Sequence, residues 1–206
     1  MKEKSTNSQR QIYMGILAVF MAVTFCFLWG KMNVHAEENI YNGFHYETKE
    51  DGTIEVTGYD TDQIDISNGI FTIPSQIDGK DVTEIGDYAF GEYEFNSEII
   101  QIKMPENLKV IRRSAFQYFI KVENLEIPDS VTTLENSSFS QFESIKKINL
   151  PASLEKYKGN AFEDSVKVEG FAISDSNKNY AVKDGSLYTK DYKKLVAVPC
   201  GKTEFE

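Results

Sequence analysis

The sequence predicts a solenoid of short parallel β-strands and short helical or 3₁₀ turns, stacked coil on coil and capped by β-hairpins at both ends. Three observations carry this expectation. Four of the five prolines close short apolar segments (Ile73-Pro74, Met104-Pro105, Ile127-Pro128, Leu150-Pro151), and they stand 31, 23 and 23 residues apart. Phenylalanine follows Ala89, Ala115, Ser138 and Ala161, placing Phe90, Phe116, Phe139 and Phe162 at spacings of 26, 23 and 23. Fixed periods of this size mark a chain in which each repeat is one turn of a stack. Finally, the apolar skeleton persists while the polar residues drift: FQYFIKVENLEIP at 116–128 returns as FSQFESIKKINLP at 139–151.

Residues 1–36 read as a signal peptide. Lys2, Lys4 and Arg10 precede a charge-free apolar run from Ile12 to Trp29, and Val34-His35-Ala36 supplies small residues before a cleavage point. The alternative is an uncleaved membrane anchor, since the apolar run approaches the length of a spanning helix. Phe25 before Cys26 is too bulky for lipoprotein processing. The expected localisation is therefore secreted or cell surface.

Residues 1–36 hold four basic residues and one acid; without them the chain has 18 basic and 31 acidic residues, net −13 against −10 for the whole. Such a charge repels phosphate backbones and excludes nucleic acid as the expected partner. One cysteine, Cys200, remains after Ala36, so no internal disulfide can form and stability must come from packing.

Residues 37–70 form a β-rich leader. Phe44 to Val56 alternates around Asp51-Gly52 and reads as a hairpin that would cover the first coil. Residues 71–174 make about four coils. Counting from Pro105, the apolar positions are Leu108, Ile111, Ala115, Phe116, Phe119, Val122, Leu125 and Ile127; the same offsets recur after Pro128 and Pro151. The first coil is longer because Gln76–Val82 carries an extra Asp78-Gly79 turn and Gly91–Ile99 holds three further residues.

The alternation Leu125-Glu126-Ile127 and Ile148-Asn149-Leu150 reads as a strand with two inward side chains, ended by the proline that follows, which has no N–H to donate. The segment Ser114-Ala115-Phe116 reads as a single helical or 3₁₀ turn, its small residue close to the coil axis. One coil buries too few side chains to offset the entropy of ordering it, so the coils must fold together.

Residues 175–206 read as a β-hairpin insert. Tyr180–Val182, Ser186–Thr189 and Lys194–Val198 are expected strands, turning at Asp184-Gly185 and Asp191-Tyr192; Lys202–Glu206 is similar to the start of another strand. The expectation is a piece of a longer surface protein, with further repeats downstream.

The pattern IPxxVxxLxxxAFxxxxxLxxIxIP, with a first unit FTIPSQIDGKDVTEIGDYAF, resembles the BspA-like class of leucine-rich repeats found on bacterial surfaces. YNGFHYETKEDGTIEVTGYD is similar to the leader of such proteins, and NKNYAVKDGSLYTKDYKKLVAVPCGKTEFE to the hairpin insert that often interrupts them. The resemblance covers roughly residues 44–206. It departs at Ser138, where alanine is usual, and at Ser174, where a fourth proline would stand. It implies a leucine-rich repeat solenoid, secreted or at the cell surface, that binds host or cell-surface proteins in adhesion. The alternative is a structural spacer or targeting module for a further domain.

The residues offer little chemistry, and neither enzymatic activity nor a cofactor is expected. His45, the sole histidine after Ala36, is far in sequence from Cys200, and a Cys–His nucleophile needs contact between the two. Asp175, Asn177 and Asn179 mimic the opening of a calcium loop, but Tyr180 replaces its glycine and Ser186 its bidentate acid, which leaves a polar turn. Asn136-Ser137-Ser138 is a glycosylation sequon of small weight in a bacterial context.

What remains is a surface. The expected protein-binding face is the outward row of the strands: Gln101 and Lys103, Asn124 and Glu126, Lys147 and Asn149, then Gly170 and Ala172. Tyr93 and Tyr118, outside the repeated apolar positions, are expected on the sidewalls as core edge or as anchors for a partner.

Overall fold

In the computed structural model the described residues are 39–203. The expected signal peptide, residues 1–36, lies outside them. The described residues form one compact unit.

The leader folds as expected. Strands β1 (Asn39–Tyr41), β2 (Phe44–Thr48) and β3 (Ile54–Tyr59) run antiparallel in order. The β2–β3 connection spans residues 49–53, closed by the Lys49 amide donating to the Thr53 carbonyl at 2.9 Å. Gly52 takes the left-handed residue of that loop at φ +84°. Beyond the hairpin the chain runs parallel: β3 pairs with β6 (Lys80–Ile85), then β8 (Val110–Ile111), β10 (Thr133–Leu134) and β13 (Lys156–Tyr157) in one long sheet. The Asp78-Gly79 excess is the turn between β5 (Gln76–Ile77) and β6.

Beyond the leader this long sheet lies in the segments after each proline, where sequence reading placed no strand. Apolar residues spaced three apart, such as Val131 and Leu134, conceal strands only two residues long. The expected strands form a second face: β4 (Ile70–Thr72) with β7 (Gln101–Lys103), and β12 (Lys147–Asn149) with β14 (Gly170–Ala172). A third ladder runs along the corners, where Phe90 bridges to β9 (Phe116–Gln117), which pairs with β11 (Phe139–Ser140).

Those corners differ from the expected helical or 3₁₀ turn. Ser114 and Tyr118 bracket the second corner with φ of +53° and +67°, and Ser137 and Gln141 bracket the third at +57° and +61°. A left-handed residue interrupts any helical run, and the corner amides instead reach the next coil: Phe90 to the Ala115 carbonyl (2.9 Å), Phe116 to Ser138 (2.9 Å), Phe139 to Ala161 (2.8 Å). The one helix among the described residues is α1 (Tyr93–Asn96), built from the three additional residues of the first coil.

The core is a set of columns. Phe116, Phe139 and Phe162 stack with ring centroids 5.3 Å apart, and Phe119 stacks on Phe142 at 5.7 Å. At the C-terminal end β15 (Tyr180–Lys183), β16 (Ser186–Thr189) and β17 (Leu195–Ala197) form the expected antiparallel insert. Its Asp184-Gly185 turn has φ of +49° and +71° and lies on β14, where the Phe171 amide donates to the Gly185 carbonyl at 2.8 Å. A Cβ on Gly185 would meet the Gly170 Cα at 3.2 Å and the Glu169 carbonyl at 3.3 Å, so this docking favours glycine at 185.

Candidate functional site

All six expected face residues, Gln101, Lys103, Asn124, Glu126, Lys147 and Asn149, are exposed, while Ile102, Leu125, Ile127 and Ile148 between them are buried. The alternation set by the proline register therefore delivers its outward row. The row is not a continuous sheet, however. Residues 124–127 are not in a strand, and no backbone hydrogen bond joins them to β7 or to β12. The face is two strand pairs with an unladdered coil between them. Along this seam, between β7 and the third coil, opens a cleft of about 380 Å³ lined by Gln101, Lys103, Met104, Glu106, Glu126 and Pro128.

The charges on this face are unspent. Among the described residues Lys103, Glu126 and Lys147 make no ion pair. The long sheet behaves differently. Glu55 and Glu84 stand side by side in register on β3 and β6, and they are bridged by basic residues: Arg112 lies 3.1 Å from Glu55 and 2.5 Å from Glu84, and Lys49 also pairs with Glu84. Glu84 is buried, and so is Thr133, two strands away on β10. Burial raises the Glu55 carboxyl above its ordinary range, with Glu84 adding to the rise and Arg112 opposing it. One face is electrostatically closed on itself and the other is open.

The remaining candidates are accounted for structurally. His45 bonds Asp60 at 2.9 Å within the leader, whereas Cys200 lies on the fourth coil, its thiol donating to the Phe162 carbonyl at 3.3 Å; the structure does not bring the two together. Asn177 is buried and donates to the Ala152 and Leu154 carbonyls (both 2.9 Å) while accepting from the Asn179 and Tyr180 amides. The turn that mimics a calcium loop is thus a polar staple between the fourth coil and the insert. Asn136 donates to Ser137 Oγ (2.7 Å) and accepts from the Asn160 amide (3.0 Å), which commits the sequon to a corner. No cluster of three metal-ligating side chains occurs among the described residues. Tyr93 and Tyr118 are brought together edge to face, with centroids 5.5 Å apart.

With this geometry, the repeat family is decided by one match: six copies of the BspA type leucine-rich repeat region over residues 62–185, more than half of the chain. The chain belongs to the BspA type leucine-rich repeat family. Two solved structures share the fold. A leucine-rich repeat protein from Bacteroides capillosus ATCC 29799 matches 66% of this chain and 97% of its own length, at 24% identity and a TM-score of 0.56. One from Eubacterium ventriosum ATCC 27560 matches 81% of this chain and 51% of its own, at 20% identity and a TM-score of 0.51. No match was found among curated protein sequences. The BspA type repeat here uses almost no helix, and among the described residues no helix is long and apolar enough to cross a membrane.

The aligned corners, the buried Asn96 and Asn177 and the long sheet are what sequence reasoning missed. Asn96 left a trace in the three extra residues of the first coil, and Asn177 in its Asp-x-Asn-x-Asn setting. The left-handed corners left none, because tyrosine and serine occupy positions at which glycine would have been the signal.

Proposed function

We propose that this BspA type repeat protein is exported and binds another protein through the outward row of the seamed face, in adhesion or host contact. The observation that carries the reading is that three successive coils present exposed polar side chains at the same repeat offsets, with Lys103, Glu126 and Lys147 lacking ion-pair partners among the described residues. Unpaired charges at a rim steer encounter and set specificity when a partner of matching charge arrives. The cleft between β7 and the third coil gives that row a concave element for a projecting side chain.

The test places a photo-crosslinking residue at Asn124 or Asn149 in the full chain, and at Lys109, exposed beside the long sheet, as control. A single extracellular protein crosslinked in a saturable manner from Asn124 and Asn149, but not from Lys109, supports the reading. Equal crosslinking from all three positions removes it.

A further inference from the structure

A second surface lies at the junction of the leader and the first two coils, and it shares no residue with the seamed face. It holds a cleft of about 380 Å³ lined by His45, Tyr59, Tyr88, Glu92 and Gln117, among others, with Tyr93 and Tyr118 next in sequence to the last two. The helix α1, which only the first coil carries, follows directly after Glu92. Asn96 fixes that helix: fully buried, it donates to the carbonyls of Phe90 (3.0 Å) and Gln117 (2.8 Å) and accepts from the Tyr59 hydroxyl (3.0 Å). One side chain thereby ties the leader, the first corner and the second corner together. The result is a rigid mount for Tyr93, which stands edge to face against Tyr118.

The tyrosines here are held at a local expense that packing does not explain. Tyr88 and Tyr118 occupy left-handed backbone, at φ of +58° and +67°, where a bulky side chain is strained. Equivalent corner positions in the later coils use Ser137, Gln141 and Asp164. Tyr88 is 55% exposed, so its ring does not repay the strain through burial, whereas Tyr118 is half-buried.

The residues on either side of Tyr93 are acidic. Glu92 and Glu94 flank Tyr93 in sequence, and neither carboxylate has an ion-pair partner among the described residues. Among the described residues one ring already has a cation of the chain's own over it. The guanidinium carbon of Arg113 lies 5.3 Å from the Tyr88 ring centroid while the same side chain bonds Asp87 at 3.2 Å. That leaves the Tyr93–Tyr118 pair and the two free carboxylates for a cation from outside. Aromatic faces attract cations through the negative face of the ring, and an adjacent carboxylate adds to the pull. The whole chain, at a net charge of −10, favours the approach of a basic segment.

We infer that this junction is a receiving site for a lysine or arginine side chain of a basic protein segment, held by the Tyr93–Tyr118 pair and the Glu92 and Glu94 carboxylates. The inference is independent of the seamed face and survives its failure.

The probe is an octapeptide of alternating glycine and lysine, titrated into the full chain at low salt and followed through the tyrosine ring signals by NMR. The expected result is saturable binding that shifts Tyr93 and Tyr118 selectively. It weakens about tenfold in the Tyr93→Ala/Tyr118→Ala variant, survives Tyr→Phe at both positions, and disappears when the peptide lysines are acetylated. Should the alanine pair disturb folding, Glu92→Gln/Glu94→Gln, which alters only exposed carboxylates, must weaken binding several-fold. The control Lys103→Ala/Glu126→Ala on the seamed face leaves it unchanged. Equal weakening by the distant Glu143→Gln shows general charge attraction and overturns the inference. So does retention of the acetylated peptide, or tighter binding of a neutral oligosaccharide stacked on the same rings.

Discussion

Ser165 Oγ accepts the Phe142 amide at 3.1 Å and donates to the Phe139 carbonyl at 3.1 Å, in the coil position where Phe119 and Phe142 stack their rings. The fourth coil thus ends an aromatic column with a hydroxyl that serves the backbone of the third. Ser165→Ala leaves both groups without this partner in a fully buried setting. The expected loss is about 1–3 kcal/mol in chemical denaturation. A change within experimental error would mean that the third corner does not depend on this bond.

Ser138 makes the opposite case. It takes the place of the corner alanine, it is fully buried, and its Oγ has no hydrogen-bond partner. Ser138→Ala removes an unsatisfied polar atom without opening a large cavity. We expect stabilisation of about 1 kcal/mol, read as a rise in the denaturation midpoint.

Asn177 joins the fourth coil to the C-terminal insert by four hydrogen bonds. Asn177→Ala is expected to loosen the insert by about 2–3 kcal/mol. Limited proteolysis should then cut first within residues 178–203, while the earlier coils stay protected.

The acidic pair on the long sheet predicts a pH effect. Glu55 has a folded pKa above its ordinary value, chiefly because burial disfavours its charged form. Its contribution to stability is therefore fully present below the ordinary carboxylate range and is lost as pH rises through the raised folded value. Glu55→Gln stays neutral throughout. Its melting temperature relative to the unaltered chain should become more favourable between about pH 4 and pH 7. A difference that stays constant or falls over that interval contradicts the assignment.

The seam predicts a local pattern of amide exchange. Residues 124–127 have no backbone ladder to either neighbour, whereas Ile102 and Ile148 lie in strand pairs. Exchange at Asn124 to Ile127 should be faster than at 101–103 and 147–149, although Leu125 and Ile127 are buried.

The features legible in sequence were those that repeat. Phe116, Phe139 and Phe162, and the outward pairs ahead of each proline, follow from fixed offsets because every coil must present the same apolar side to its neighbour. The hairpins were legible from Asp51-Gly52 and Asp184-Gly185, where turn chemistry is local. The continuation of the long sheet through β8, β10 and β13 was hidden because strands of two residues are too short for alternation to register. The left-handed corners were hidden because Tyr88, Ser114 and Tyr118 carry no glycine signal. The gap at 124–127 was hidden because its residues follow the same pattern as Lys147–Asn149, and pairing depends on how neighbouring coils approach each other. Tyr93 and Tyr118 were visible as misfits to the repeat, but their meeting depends on the helix that Asn96 anchors.

The central claim is that the seamed face, not the long sheet, receives the protein partner. The measurement that tests it most directly is the dissociation constant for the crosslinked partner, compared across two charge variants of the full chain. Lys103→Glu/Glu126→Lys on the seamed face should weaken binding about tenfold or more. Lys156→Glu, on the exposed edge strand of the long sheet, should leave it within about twofold. The reverse order, or equal effects from both, would contradict the account.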